Sequence, residues 1–323
     1  MIILLKKIKN FFLYYFKILL YFFYNLKKRY PNSEIEKICD KLIPSFIINY
    51  NSKFTYRYKK DFIDKYLHNF FYNAISELEQ KRKRQTLFPR ILDIGCGFGP
   101  MALALKLHLF ASRKLRKDTN DIEKMYVGID TRDDAIDFLN NAYKDEKNFI
   151  FVKHIPQSSC KTDYIGLFNK FNKRVLSQTH FDSDGEECKY NLGFDFKADL
   201  QWSSSLFTHL TPSAVFNALE FINNNLDKQG LAINSWLILD NQSYLSMEMG
   251  LSDRGVHRYD FGSFISKSIN NPLSCTIYKL EFIKESYKKA GLKIISIKRG
   301  SWRGSNRQNS YSHYQDIIIS EKI

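Results

Sequence analysis

The chain reads as an α/β protein built on a mostly parallel seven-stranded sheet, and three observations predict it. From residue 90 onward, short apolar runs alternate with runs of helical period, as in strands joined by crossover helices. A glycine-rich turn, Gly95 to Gly99, separates the first strand from the first helix of that series. The last two strand candidates are joined by about 17 residues without helical pattern, so they are expected to pair antiparallel.

The elements follow in order. Strands are expected at Arg90–Ile94, Met125–Ile129, Asn148–Val152, Ala198–Trp202, Leu231–Leu239, Leu292–Lys298 and Asp316–Ser320. Helices are expected after Pro100 (MALALKLHLF), after Thr131 (DDAIDFLNNAY), after Thr211 (PSAVFNALEFINNNL) and over Lys279–Ala290. Gly230 and Gly291 stand where helix stops belong. Residues 155–193 form a polar insertion, too long for an ordinary loop. Residues 33–84 read as amphipathic helix, marked by Ile35, Ile38, Leu42, Ile47, Phe62, Tyr66, Phe70, Ile75 and Leu78, and end in a basic KRKRQT run expected to be a solvated hinge. The division expected is therefore a helix over residues 1–30, a helical extension over 31–85 and the α/β domain over 86–323.

Composition narrows the class. The chain has 323 residues, 44% hydrophobic and 26% charged, with 14 Gly and 7 Pro, which excludes collagen-like and broadly disordered proteins. Its five cysteines form no C-x-x-C pair or His/Cys ligand cluster, so a disulfide framework and a structural zinc site are not expected. The net charge of +15 suggests nucleic acid or an anionic membrane. Its distribution favours the membrane, because residues 1–30 carry seven Lys and Arg and no acid. On a helical wheel Lys6, Asn10, Lys17, Tyr21, Tyr24 and Lys28 face one way, and Leu4, Ile8, Phe11, Tyr15, Ile18, Leu19, Phe22 and Leu26 the other. No uncharged run there reaches the roughly 20 residues of a spanning helix. A peripheral helix in the interface is expected, held to anionic lipid on the cytoplasmic side, and packing on the domain or in a dimer is its alternative.

The sharpest motif is ILDIGCGFGP at 91–100, in which a strand delivers Asp93, three alternating glycines and a proline that can open a helix. It fits neither G-x-G-x-x-G nor a phosphate-cradling G-x-x-x-x-G-K-[ST] loop. The second strand, MYVGID, ends at Asp130, an acid placed to take two ribose hydroxyls. Together these resemble the binding site of class I S-adenosylmethionine-dependent methyltransferases, over residues 88 to 323. The resemblance implies a Rossmann-like sheet of seven strands with the last reversed. It also implies S-adenosylmethionine as cofactor, bound around Asp93, Gly95, Cys96, Gly97, Gly99, Asp130, Thr131 and Ser203. Cys96 itself reads as a small packing residue of the turn. One departure is that Ile155 and Pro156 stand where the family offers an acid to adenine, and Asp163 is a weak substitute.

A narrower resemblance rests on FDFKADLQWSSSLFTHLTP (194–212), INSWLILD (233–240), GSWRG (300–304) and QDIIIS (315–320). These look like a methyltransferase subgroup that often accompanies glycosyltransferases and surface-polysaccharide genes. For a hydroxyl acceptor, histidine is the natural base. His209 after the fourth strand is the first candidate, with a structural role at the following helix start as its alternative. His257 in LSDRGVHRYDFG is the second, with a solvated loop residue as its alternative; the connection holding it could close over a substrate. Trp202, Trp236 and Trp302 could flank a sulfonium or sugar, and more ordinarily pack in the core. No carboxylate set suggests a metal, and SSSLFTH lacks the [DN]-P-P-[FY] of base methylation. The function expected is O-methylation of a glycan or lipid-linked saccharide on the inner membrane face. Lipid or quinone methylation, or a non-catalytic tethered binding module, is the alternative, and nucleic acid is disfavoured as a partner.

Overall fold

The computed structural model describes residues 34–42, 64–84, 86, 88–113, 125–154, 190–257, 259–304 and 313–323. The helix expected over residues 1–30, together with Ile155, Pro156 and Asp163, lies outside them. The chain divides into two units, residues 1–41 and 42–323. In the first lies most of helix α1 (Glu34–Leu42), which exposes Lys37 and Lys41 and buries Cys39.

The second unit is organised by one sheet. Its strands are β1 (Ile91–Ile94), β2 (Tyr126–Asp130), β3 (Phe149–Lys153), β4 (Ala198–Ser203), β5 (Leu226–Trp236), β10 (Leu292–Lys298) and β11 (Asp316–Lys322), numbered around four shorter strands given below. They run in the order β3-β2-β1-β4-β5-β11-β10. The first five pair in parallel, and β11 is antiparallel to both β5 and β10. This is the Rossmann-like class I methyltransferase arrangement, with the reversed strand between β5 and β10. All residues of β1, β2 and β4 are buried, as expected of central strands covered on both faces.

Helices α2 (Tyr72–Arg82), α3 (Pro100–Arg113), α4 (Asp133–Ala142), α5 (Pro212–Asn225) and α7 (Leu280–Lys289) supply the cover, with α6 described below. Successive strand residues point to opposite faces, so adjacent Trp202 and Ser203 report on different sides. Trp202 meets Phe70, from a π-helical turn over Asp64–Phe71, at 5.2 Å between ring centroids. On the other face Ser203 donates to Asn234, and Asn234 and Trp236 both donate to the Tyr287 hydroxyl of α7. Trp202, Trp236 and Trp302 are all core residues, at most 2% exposed.

Three expectations are corrected. Helix α5 stops at Asn225, not at Gly230. The run Asn223–Asn225 is poor helix former, and the Asn225 amide donates to the Phe221 carbonyl, satisfying the last turn. Gly230 is instead inside β5, where a Cβ would come 2.8 Å from the Ala198 carbonyl oxygen. Gly291 does close α7, in the left-handed region at φ +76°.

The basic run after α2 is only partly solvated. Arg82 donates to Asp199 at 2.7 Å with 6% of its side chain exposed, and Lys81 bonds the Gly230 carbonyl and pairs with Glu321. These contacts bolt α2 to the sheet instead of leaving a hinge, and among the described residues of the run only Lys83 and Arg84 face solvent. Burial pushes the Asp199 carboxyl up, but bonds from Arg90 and Arg82 outweigh it and hold it below the ordinary range.

Lastly, the connection between β5 and α7 is a second sheet rather than a loop. Strands β6 (Ile238–Leu239), β7 (Tyr259–Asp260), β8 (Phe264–Ser266) and β9 (Thr276–Lys279) stand in the order β6-β9-β8-β7. Leu237, Met247, Ile265, Ile277 and Trp302 form its core. Helix α6 (Asn241–Glu248) begins on a capping box in which Asp240 and Ser243 exchange bonds.

The two sheets are joined at Asp316. Its carboxylate has no exposed area and accepts from the backbone of Ile238 and Gly300, from Trp302 Nε1 and from Arg303. Arg303 also donates to Asp240 at 2.6 Å and to the Ile238 carbonyl. Within GSWRG, Gly304 is required by space as well as by its φ of +78°, since a Cβ would lie 1.8 Å from Leu251 O. Asp316→Asn keeps the shape and leaves Arg303 facing a neutral group. It is expected to cost about 3–5 kcal/mol of unfolding free energy, read from denaturant titration; an unchanged midpoint would show that the pair is dispensable.

Candidate functional site

The site begins where β1 ends. Gly95, Gly97 and Gly99 all lie at positive φ, at 75°, 51° and 72°, conformations that favour glycine. Gly95 N and Cys96 N both donate to the Ile129 carbonyl at the end of β2, and Leu103 N donates back to Gly99 O as α3 starts. The glycines differ in role. A Cβ on Gly99 would strike Leu139 of α4 at 2.6 Å, so that glycine serves packing. Around Gly97 nothing lies within 4 Å of where a Cβ would be. The backbone there is open to a ligand.

Asp130 anchors this loop. Its Oδ2 accepts from Gly97 N at 2.7 Å and its Oδ1 from Arg132 N at 3.0 Å, while the residue is 5% exposed. A carboxylate offers about four lone-pair positions, so two remain for the hydroxyls of a ribose. The residues present therefore fit the nucleoside end of S-adenosylmethionine. Thr131, half-buried, follows Asp130. Arg132 lies 4.7 Å over the Phe98 ring and pairs with Asp134, closing the outer side of the loop.

Asp93 sits beneath the loop, 2% exposed, and accepts the Tyr126 hydroxyl at 2.6 Å. Burial pushes its pKa up to about 7; the Tyr126 bond opposes this and the charge of Asp130 adds to it. Cys96 is buried, with its thiol pKa pushed well up by burial. Gly128 makes room for it, since a Cβ there would lie 3.0 Å from Sγ.

Ser203 ends β4. It is 1% exposed and its hydroxyl donates to Asn234 Oδ1 at 2.6 Å, so it belongs to the core. The edge of β4 is formed instead by Ser204 and Ser205. Ser205, at φ +60°, donates its N–H to Ser235 Oγ and its hydroxyl to Gln315 Oε1. Ser204 contacts His313 Nε2 at 3.5 Å, and His313 Nδ1 accepts from Gln315 N. His313 escaped sequence reasoning because it belongs to no motif, and Gln315, although it opens QDIIIS, was given no role; both reach this edge only through the reversed β11.

His209 ends a 3-10 turn, Phe207–His209, after β4. Its Nδ1 bonds the Leu273 carbonyl at 3.0 Å, which places the proton on Nδ1 and leaves Nε2 as an acceptor. Burial lowers its pKa, the Leu273 bond opposes this and Arg254 adds to it. The helix cap is Thr211, whose Oγ1 accepts from Ala214 N, so His209 is not needed for it. His257 is no solvated residue: it is 8% exposed, bonded through Nδ1 to Gly255 O, with Nε2 buried and unpartnered among the described residues. Burial pulls it down to about 4, with Lys267 and Arg254 contributing. Both histidines are thus neutral near pH 7, and both feel Arg254. His154, directly after β3, stacks on Tyr190 at 4.3 Å, near where the adenine-contacting acid was expected. Among the described residues no three His, Cys, Asp or Glu side chains gather as a metal site requires.

Asp93 makes a measurable mark on stability. The fold holds its proton more tightly than an unfolded carboxyl, so its contribution is full at low pH and lost as pH rises through about 7. Asp93→Asn removes this titration and keeps an oxygen for Tyr126. Relative to the parent it is expected to gain stability between about pH 4 and about pH 7 in thermal melts; parallel curves would mean that Asp93 stays ionised in the fold.

No family model matches the chain. It is similar to several solved structures. One is an S-adenosylmethionine-dependent methyltransferase from Clostridium acetobutylicum, at 13% identity over 81% of this chain and 97% of that one, with a TM-score of 0.42. Another is the CcbJ methyltransferase from Streptomyces caelestis, at 12% identity over 80% and 95%, with a TM-score of 0.44. A third is DesVI from Streptomyces venezuelae, at 14% identity over 80% and 97%, with a TM-score of 0.39. Likeness this distant carries nothing about activity.

Proposed function

We propose that the chain is an S-adenosylmethionine-dependent methyltransferase directed at a hydroxyl of a glycan or lipid-linked saccharide. The observation that carries this reading is Asp130 holding Gly97 at a loop tip open to a ligand. Bound there, S-adenosylmethionine supplies a methyl group activated on a sulfonium. Asp130 and the backbone of Gly95 to Gly99 hold the nucleoside end, and Asp93 adds negative charge beneath it when ionised. His209 Nε2 accepts the proton of the acceptor hydroxyl, and the Leu273 carbonyl keeps the imidazole in the tautomer that can do so. Positioning supplies much of the remaining rate.

The membrane setting is part of the proposal. The apolar and basic faces of residues 1–30 support it, and so do the exposed Tyr244, Leu245, Met249 and Leu251. No helix among the described residues is long and apolar enough to cross a membrane.

Two experiments test these statements. Asp130→Ala is expected to weaken cofactor binding by about 2–3 kcal/mol, since charge-assisted contacts are lost; label from S-adenosylmethionine should enter one fraction of a host extract and be missing with the variant. Equal affinity in a titration would remove the ribose assignment. Deleting residues 2–28 should release the protein from anionic liposomes with cofactor binding intact, and continued co-sedimentation would place the anchor elsewhere.

A further inference from the structure

Both candidate histidines feel the charge of one residue, Arg254. Arg254 lies in the segment between α6 and β7, with its guanidinium 5.0 Å over the Tyr314 ring. Its charge bears on His209, His257, Cys275 and Tyr314, and His257 follows it by three residues in the same segment. Arg82, Arg90, Arg132, Arg299 and Arg303 each pair with a carboxylate. Among the described residues Arg254 pairs with none, and its Nε is buried without a hydrogen-bond partner. Lys267, the second cation, likewise pairs with no described carboxylate; its Nζ lies 3.6 Å from where a Cβ on Gly255 would be. His257 Nε2, also buried and unpartnered, completes the group.

This cluster is held rigidly. Ser252 Oγ and Asp253 N both donate to the Trp302 carbonyl, and Arg254 N donates to Ser252 Oγ. The 3-10 turn bearing His209 is lashed to β9 by the Tyr278 hydroxyl on Leu210 O and by Thr276 on Phe207 O. A buried N–H donor left unpartnered is costly unless something fills it, and on the half-buried Arg254 guanidinium, with the exposed Lys267 as second cation, an anionic oxygen group is the complement. With Nδ1–H engaged by Gly255, His257 Nε2 can only accept, which suits a hydroxyl beside that anion.

We propose that Arg254, Lys267 and His257 form an acceptor subsite for a hydroxylated anion, a sugar bearing a carboxylate or a phosphate. That its hydroxyl is the methylated group rests on the methyltransferase reading above; the anion site itself does not.

The test is calorimetric titration of the full chain with glucuronate, glucose 1-phosphate and neutral glucose at fixed ionic strength, with S-adenosylhomocysteine titrated separately. Saturable binding of at least one anionic sugar and none of glucose is expected, and the better of the two anions identifies the acceptor group. Arg254→Gln and the exposed Lys267→Gln should each weaken the anion roughly tenfold or more, with Arg254→Lys recovering part of the loss and S-adenosylhomocysteine affinity unmoved. Absence of anion binding by the parent, equal binding of glucose, or unweakened binding by both glutamine variants would overturn the subsite. Loss of S-adenosylhomocysteine binding in the parent, with anion binding intact, would instead remove the methyltransferase reading and leave the subsite standing.

Discussion

A single carboxylate with no exposed surface, Asp316, sets the geometry of the functional edge. Desolvating a charge that completely is tolerable only when every lone pair is used. Asp316 meets that condition with two backbone N–H groups, the Trp302 indole and the Arg303 guanidinium. Its donors come from β6, just beyond the end of β5, and from the turn that follows β10. The reversed strand must therefore start at the edge where the parallel strands finish, which brings His313 and Gln315 against Ser204 and Ser205. Through the Trp302 carbonyl the same constraint reaches the segment carrying Arg254 and His257.

The opposite edge of the sheet uses similar chemistry for a different purpose. There Asp199 takes Arg82 and Arg90 together, and Lys81 reaches the backbone of β5. One edge is thus closed by paired charges, and at the other Arg254 and Lys267 stand without described counter-ions.

Sequence legibility followed the range of the interactions. Asp93, the glycines and Asp130 were readable because strand, turn and acid are local and their spacing is fixed by the fold. The antiparallel pairing of the last two strands was readable from a short connection. The start of β5 was not, since Leu226–Gly230 has no β pattern of its own and is drawn into the sheet by Ala198. Ser203 was assigned to the cofactor by resemblance, but a one-residue step along a strand reverses the face, and it points to Asn234. The burial of Arg82, the second sheet and the environment of His257 all depend on partners distant in sequence. GSWRG and QDIIIS were noticed as similar strings, and their physical reason, one shared carboxylate, emerged only in three dimensions.

The stack of His154 on Tyr190 has a consequence for how this protein can vary. The two rings stand at the points where the chain leaves β3 and returns toward β4, and they lie 4.3 Å apart and nearly parallel. His154 and Tyr190, the described residues on either side of positions 155–189, are therefore held together. Closing such a segment depends only logarithmically on its length, with about 0.6 kcal/mol for each doubling. The sheet is consequently insulated from insertions and deletions there, and relatives could lengthen, shorten or replace this stretch while the sheet keeps its form.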